Sequence, residues 1–129
     1  MSLLQSKRAH TTGRLMIRTV ALVLILAGVL KLTGLADEDM VEGLKKANLI
    51  QHLHLICITA IVCGTLLIVP RTAWLGLLMS TAYWGGAIVA HLTYDDSVAM
   101  PAGFLSVLWI GHWLSAQTGA VESENGETE

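Results

Sequence analysis

The sequence predicts an all-α integral membrane protein, a bundle of four transmembrane helices with both termini in the cytoplasm. Three observations carry this. Charge is scarce: 14% of residues are charged and 53% hydrophobic, with a mean hydropathy of +0.61, whereas soluble domains carry about 25% charged residues. Between Asn48 and Gln117 the only charged side chains are Arg71, Asp95 and Asp96. That stretch therefore lacks the polar face that a soluble bundle helix turns toward water. Finally, those charges fall at two points and divide the chain into apolar runs. Each run is close to the ~20 residues that cross the hydrocarbon layer as a helix with its backbone satisfied internally.

Residues 1–13 read as a cytoplasmic N-terminal segment, and residues 14–117 as the four-helix transmembrane domain. The first span is expected at about 17–35. A cleaved signal peptide is the alternative for this run, with Gly34-Leu35-Ala36 as the small-x-small site. Lys31, close to that site, and the apolar continuation through Leu32 and Leu35 favour a retained helix. The segment Ala36–Ala47 is the one sizeable loop and has room for a short interfacial helix. The second span, 49–69, stops at Pro70, which cannot donate a helix hydrogen bond. Thr72 is then placed to cap the third span, 73–92. Thr93 to Ser97 form the next turn, with Ser97 as a cap and Pro101 tolerated in the first turn of the last span, 99–117. Residues 118–129 hold four glutamates and almost no apolar group, the composition of a disordered acidic tail.

Lysine and arginine set the orientation. Lys7, Arg8, Arg14 and Arg18 precede the first span and Arg71 separates the second from the third, against Lys31, Lys45 and Lys46 on the opposite side. The excess places both termini inside. Trp74, Trp109 and Trp113 fall at the same inner boundary, as an aromatic belt does.

In lipid, hydrophobicity gives helices no drive to pair, so small residues that admit close approach mark the packing faces. The third span has Ala82, Gly86 and Ala90 at four-residue spacing with Gly85 beside them, the second has Cys57, Ala60 and Gly64, and the last has Gly103 and Gly111. Packing within the chain is expected; packing between protomers, and so an oligomer, is the other option. Cys57 and Cys63 point about 240° apart on one helix, ~9 Å along its axis, and form no disulfide with each other. They read as small core residues.

Polar residues inside spans normally turn toward the bundle or water. Lys31, His52, His54 and His91 gather at the outer boundary beside Glu42, Tyr94, Asp95 and Asp96. His52 and His54 diverge around the helix, and His54, adjoining the Cys57/Ala60/Gly64 face, is expected to look inward. A ligand pocket of Lys31, His54, His91, Tyr94 and Asp95 follows, able to take a quinone head group, an anion or a proton-relay water. The plainer reading has Lys31 snorkelling outward and the histidines as hydrogen-bonded anchors at headgroup level. His112 reads as an interface residue.

Other chemistries find little support. Basic residues are too scattered for a nucleic-acid surface. Two cysteines without a CxxC exclude a disulfide scaffold or zinc finger. No histidine spacing fits a metal, and no nucleophile–base pair, phosphate loop or haem motif occurs. No catalytic residue and no bound cofactor is expected from motifs, and the lipid bilayer is the one partner the composition demands.

The blocks Ala27-Gly28-Val29-Leu30-Lys31-Leu32, Ile68-Val69-Pro70-Arg71-Thr72-Ala73 and Gly85-Gly86-Ala87-Ile88-Val89-Ala90-His91-Leu92, with Asp95, Pro101 and Trp109 following, resemble the DoxX-like family over roughly residues 14–115. The resemblance implies a four-helix protein of the bacterial inner membrane. Relatives are linked to a thiosulfate:quinone oxidoreductase and to other membrane redox complexes, which implies quinone and membrane redox proteins as partners. Lys31, Pro70, Arg71, Gly85, Gly86 and His91 carry the family pattern. Many relatives have a glutamate in the second span, near where Thr59 and Ala60 stand here, and its absence argues against redox chemistry within this chain. Two functions fit: an accessory subunit of a quinone-linked oxidoreductase, or a non-catalytic assembly or stress-protection module that binds membrane proteins. A carrier or proton path fits less well, because the middles of the spans have almost no ionisable group.

Overall fold

A computed structural model describes residues 3–35 and 38–126, and these are all-α. The order is α1 (Leu3–Leu32), α2 (Glu38–Lys46), a short 3-10 turn (Ile50–His52), α3 (Leu53–Ile68), α4 (Ala73–Thr93) and α5 (Ala99–Gly126). The four long helices close a ring. α1 packs on α3 and α5, α4 packs on the far side of both, and α2 rests against α4. Three segments, Lys7–Leu32, Ile50–Ile68 and Ala73–Thr93, are long and apolar enough to cross a membrane. α5 is longer than α3 or α4 but is interrupted by Pro101, Ser106, His112 and Ser115.

Two ends extend beyond the expected spans. α1 is helical from Leu3, and its 30 residues cover about 45 Å. α5 continues through residues expected to be disordered, as far as Gly126. Ala120, Glu122 and Glu124 are good helix formers, and no proline follows Pro101 in α5. Residues 127–129 of that tail lie outside the described residues. α2 occupies the loop that had room for an interfacial helix.

The ends of α1, α2 and α4 share one device. The three positive φ values among the described residues are at Gly34 (74°), Asn48 (57°) and Asp95 (55°). Each is the left-handed residue just past a helix. In each case the next N–H reaches back to close the last turn: Leu35 to Leu30 O at 3.0 Å, Leu49 to Leu44 O at 2.8 Å, and Asp96 to His91 O at 3.1 Å. This is the Schellman closure, favoured where glycine, asparagine or aspartate tolerates that conformation. Thr72 departs from expectation. Its hydroxyl makes no cap bond to α4 but donates to Leu66 O (3.2 Å) and Val69 O (3.3 Å), closing the end of α3.

Val20, Ala21 and Leu24 of α1, Ala60, Cys63 and Leu67 of α3, Leu77 and Trp84 of α4 and Leu108 of α5 make the core. Trp84 stacks on Phe104 at 5.0 Å and meets Tyr83 edge-on at 5.5 Å. Among the described residues the buried Ser80 hydroxyl and Trp84 indole N–H have no hydrogen-bond partner, and the hydroxyl lies beside the Cys63 thiol. Outside, Leu22, Leu26, Leu55, Ile58, Leu78, Val89, Leu92 and Ile110 are exposed. A surface of this kind matches lipid rather than water.

Glycines decide how closely the helices approach. A Cβ on Gly64 would stand 2.6 Å from the Ala21 carbonyl oxygen, and one on Gly28 2.8 Å from that of Cys57. On the other side of α1, a Cβ on Gly13 would be 2.5 Å from Gly111 O. Cys57, Ala60 and Gly64 are thus buried in the α1–α3 seam. The α4 stripe behaves differently from expectation. Ala82 and Gly86 are exposed, Gly85 and Ala90 are partly so, and a Cβ on Gly85, Gly86 or Gly103 meets nothing within 4 Å. Trp84 claims the inward direction of α4, and Ala82 and Gly86 stand about 160–200° around the helix from it.

These contacts predict opposite outcomes for one substitution at two glycines. Gly64→Leu forces α1 and α3 apart and is expected to cost about 3 kcal/mol, the upper end of overpacking penalties, whereas Gly86→Leu should stay within about 0.5 kcal/mol of wild type. Thermal unfolding of the detergent-solubilised protein measures both, and equal losses would contradict the packing.

Candidate functional site

The polar end of the bundle is built by the way α4 stops. His91 lies in its last turn, Tyr94 ends the helix, and Asp95 takes the left-handed conformation. That reversal folds Asp96 back over the helix end, where its Oδ2 lies 3.1 Å from His91 Nδ1. The other carboxylate oxygen, Oδ1, accepts the Ser97 N–H at 2.7 Å. Ser97 Oγ then accepts the Ala99 N–H at 3.3 Å, the start of α5. One carboxylate thus orients the imidazole and stiffens the connection between two helices. The His91 side chain is 20% exposed. With Nδ1 engaged by Asp96, Nε2 is the ring atom left to exchange a hydrogen bond or a proton with a guest.

Tyr94 completes the site. Its ring lies 5.4 Å from that of His91, tilted by 40°. Its hydroxyl rests on α2, where a Cβ on Gly43 would be 3.1 Å from it. On α2, Lys46 pairs with Glu42 one turn earlier at 3.0 Å, an exposed pair worth a few tenths of a kcal/mol at most. Burial raises the Tyr94 hydroxyl above the ordinary tyrosine pKa, and the Asp96 carboxylate raises it further, with Lys46 opposing.

The expected pocket is therefore assembled only in part. His91 and Tyr94 come together, but their carboxylate partner is Asp96; Asp95 is exposed and serves the turn. His54 was expected to face inward and is exposed, as is His52. α3 turns Cys57, Ala60 and Cys63 inward, and His54 stands about 60° past Cys57 on the side away from the other two. Lys31 is half-buried near Cys57 at the α1–α3 seam. Among the described residues no hydrogen bond or ion pair joins Lys31 or His54 to the His91 cluster. At the other end, His112 packs edge-on to Trp109 at 6.0 Å, and Trp109 donates to Thr81 Oγ1 at 3.2 Å.

Asp96 and Gly43 are the members that sequence reasoning missed. The signal for Asp96 was its place two residues after the helix cap, where a Schellman closure turns a side chain back over the last turn. Gly43 gave no signal, because its role depends on where α2 lands. Among the described residues, no group of three or more His, Cys, Asp and Glu side chains is placed to hold a metal ion. No family model, curated protein or solved structure matches the chain.

The raised Tyr94 pKa fixes the sign of a pH effect. The folded state holds this proton more tightly than the unfolded chain, so the stability it contributes is complete below the ordinary tyrosine value of about 10 and is lost as pH rises through the folded value. Hydrogen exchange of the α2 amides, followed from about pH 9 to pH 11, should show α2 loosening in the wild type and less in Tyr94→Phe. Equal alkaline loosening in both proteins would count against the assignment.

Proposed function

We propose that this chain is a DoxX-like protein of the bacterial inner membrane and acts as an accessory subunit of a quinone-linked membrane oxidoreductase. In this reading α5 is a fourth span, both termini are cytoplasmic, and His91 lies at the outer boundary. The length of α5 and its place in the ring beside α1 and α4 support the fourth span. The excess of Lys and Arg at one end supports the orientation.

The observation that carries the reading is the His91–Asp96 contact of 3.1 Å at the end of an apolar helix. A carboxylate behind an imidazole fixes its tautomer and orientation, the arrangement needed to exchange a proton with a quinone oxygen. Quinol oxidation releases two electrons as well as two protons, and electron transfer is assigned to a partner protein. This chain contributes the head-group contact and the acceptor for one of the two protons, His91 Nε2, the other leaving with both electrons to the partner protein.

A second reading, a non-catalytic assembly or stress-protection module, is favoured by the outward face of Ala82, Gly85 and Gly86, which no described residue covers. Small residues of that kind admit a helix from another membrane protein.

One preparation separates the two. The tagged protein is purified gently from its native membrane, bound quinone is extracted, and co-purifying proteins are identified. The accessory-subunit reading expects quinone or a stoichiometric redox partner. It also expects His91→Ala to lower quinol-dependent electron flow about a hundredfold, the lower range for loss of a general acid–base group, with helicity unchanged. A preparation free of quinone, whose membrane clients are lost in Gly86→Leu and kept in His91→Ala, would replace it with the assembly reading.

A further inference from the structure

The bundle end opposite α2 gathers cations and tryptophans at one depth. Gly28 lies on the Cys57 carbonyl and Gly64 on that of Ala21, so the antiparallel α1–α3 register is kept over a seven-residue step. The next such step sets Arg14 of α1 level with Arg71, just past the end of α3. Arg18 is one turn, ~6 Å, deeper on α1. The contact of Gly111 with Gly13 and Met16 brings Trp113 of α5 to the same level, and Trp74 enters there near the start of α4. Arg14, Arg18 and Arg71 are exposed, and Trp74 and Trp113 are 68% and 61% exposed.

Arg14 and Arg18 stand about 100–140° around α1 from Gly13, which faces α5. Their side of the helix continues into exposed Leu22, Leu26 and Val29. A phospholipid laid on this surface has acyl chains over the three aliphatic side chains and its phosphate at two guanidiniums one turn apart. Among the described side chains no carboxylate competes at this depth: Glu38, Asp39, Glu42, Asp95 and Asp96 belong to the opposite end. Guanidinium groups without carboxylates take phosphate oxygens by charge-assisted, often bidentate, hydrogen bonds. Tryptophans at the same level mark headgroup depth.

We propose that Arg14 and Arg18, with Arg71 extending the same collar, form a binding site for the phosphate headgroup of an anionic phospholipid, its tails lying along Leu22, Leu26 and Val29. The site is independent of the His91 cluster and of any redox role.

The full chain in mild detergent, incubated with equal amounts of phosphatidylglycerol and phosphatidylcholine of matched chain length, tests this by native mass spectrometry of retained lipid. Phosphatidylglycerol is expected to be retained about tenfold over phosphatidylcholine. Arg14→Gln/Arg18→Gln should weaken its binding about thirtyfold, at roughly fivefold per cation, from the ~1 kcal/mol that each basic residue gains near an anionic surface. Lys45→Gln/Lys46→Gln, at the other end, should leave it unchanged. Equal retention of the two lipids by the wild type overturns the proposal without recourse to any variant. So does undiminished selectivity in an Arg14/Arg18 variant of normal helicity. Displacement of phosphatidylglycerol by equimolar inorganic phosphate would overturn the lipid assignment in favour of free phosphate.

Discussion

The arrangement depends on how closely the backbone of α1 approaches its two neighbours. In a lipid environment apolar surface gains little by leaving acyl chains for another helix, so association rests on contact between surfaces that fit. α1 achieves it with Gly28 against Cys57 and Ala21 against Gly64 on one side, and Gly13 against Gly111 on the other. Once α1 is seated, α3 and α5 have fixed registers, and α4 closes the ring through Leu77 and Trp84. The outward directions follow from the same seating. Leu22 and Leu26 face away from the seams, and the Ala82/Gly86 face of α4 is left at the surface because Trp84 occupies the inward side.

The ends of the helices turn this scaffold into places where chemistry can occur. The closure that stops α4 carries Asp96 back to His91, so the polar pair is a product of helix termination rather than of a loop searching for a partner. The same closure at Gly34 and Asn48 brings the chain from α1 into α2 and from α2 into the turn before α3. α2 then lies against Tyr94 through Gly43, where the absence of a side chain lets the hydroxyl approach. The two ends differ in kind. One holds a histidine–carboxylate pair under a short helix; the other is a collar of arginines and tryptophans.

Several features were legible because they are local. Long apolar runs, Pro70, and the tyrosine–aspartate turn after His91 delimit the helices, since hydrocarbon length and proline chemistry act on the chain segment by segment. His91 and Tyr94 could be chosen for the polar end because both sit at the end of an apolar run. The choice of His54 failed because two histidines two residues apart on a helix are separated by rotation alone, and the inward face of α3 is set by Cys57, Ala60 and Gly64 as a group. The choice between Asp95 and Asp96 failed for a related reason: adjacent identical residues are told apart only by which one takes the left-handed conformation.

The sequence by itself determined an all-helical chain with segments suited to a membrane, the breaks between them, and the residue types crowded at each boundary. Those depend on composition, length and backbone chemistry within a few neighbouring residues. Tertiary structure decided which glycines are packing surfaces, since Gly64 and Gly86 are alike in sequence and differ only in whether an added Cβ would meet a second backbone at 2.6 Å or nothing within 4 Å. It also decided that the carboxylate of Asp96, and not that of Asp95, meets His91. The physical reason is the same in each case. Helical periodicity specifies a side chain's angle around its own axis, and only the docking of a second helix converts that angle into a contact.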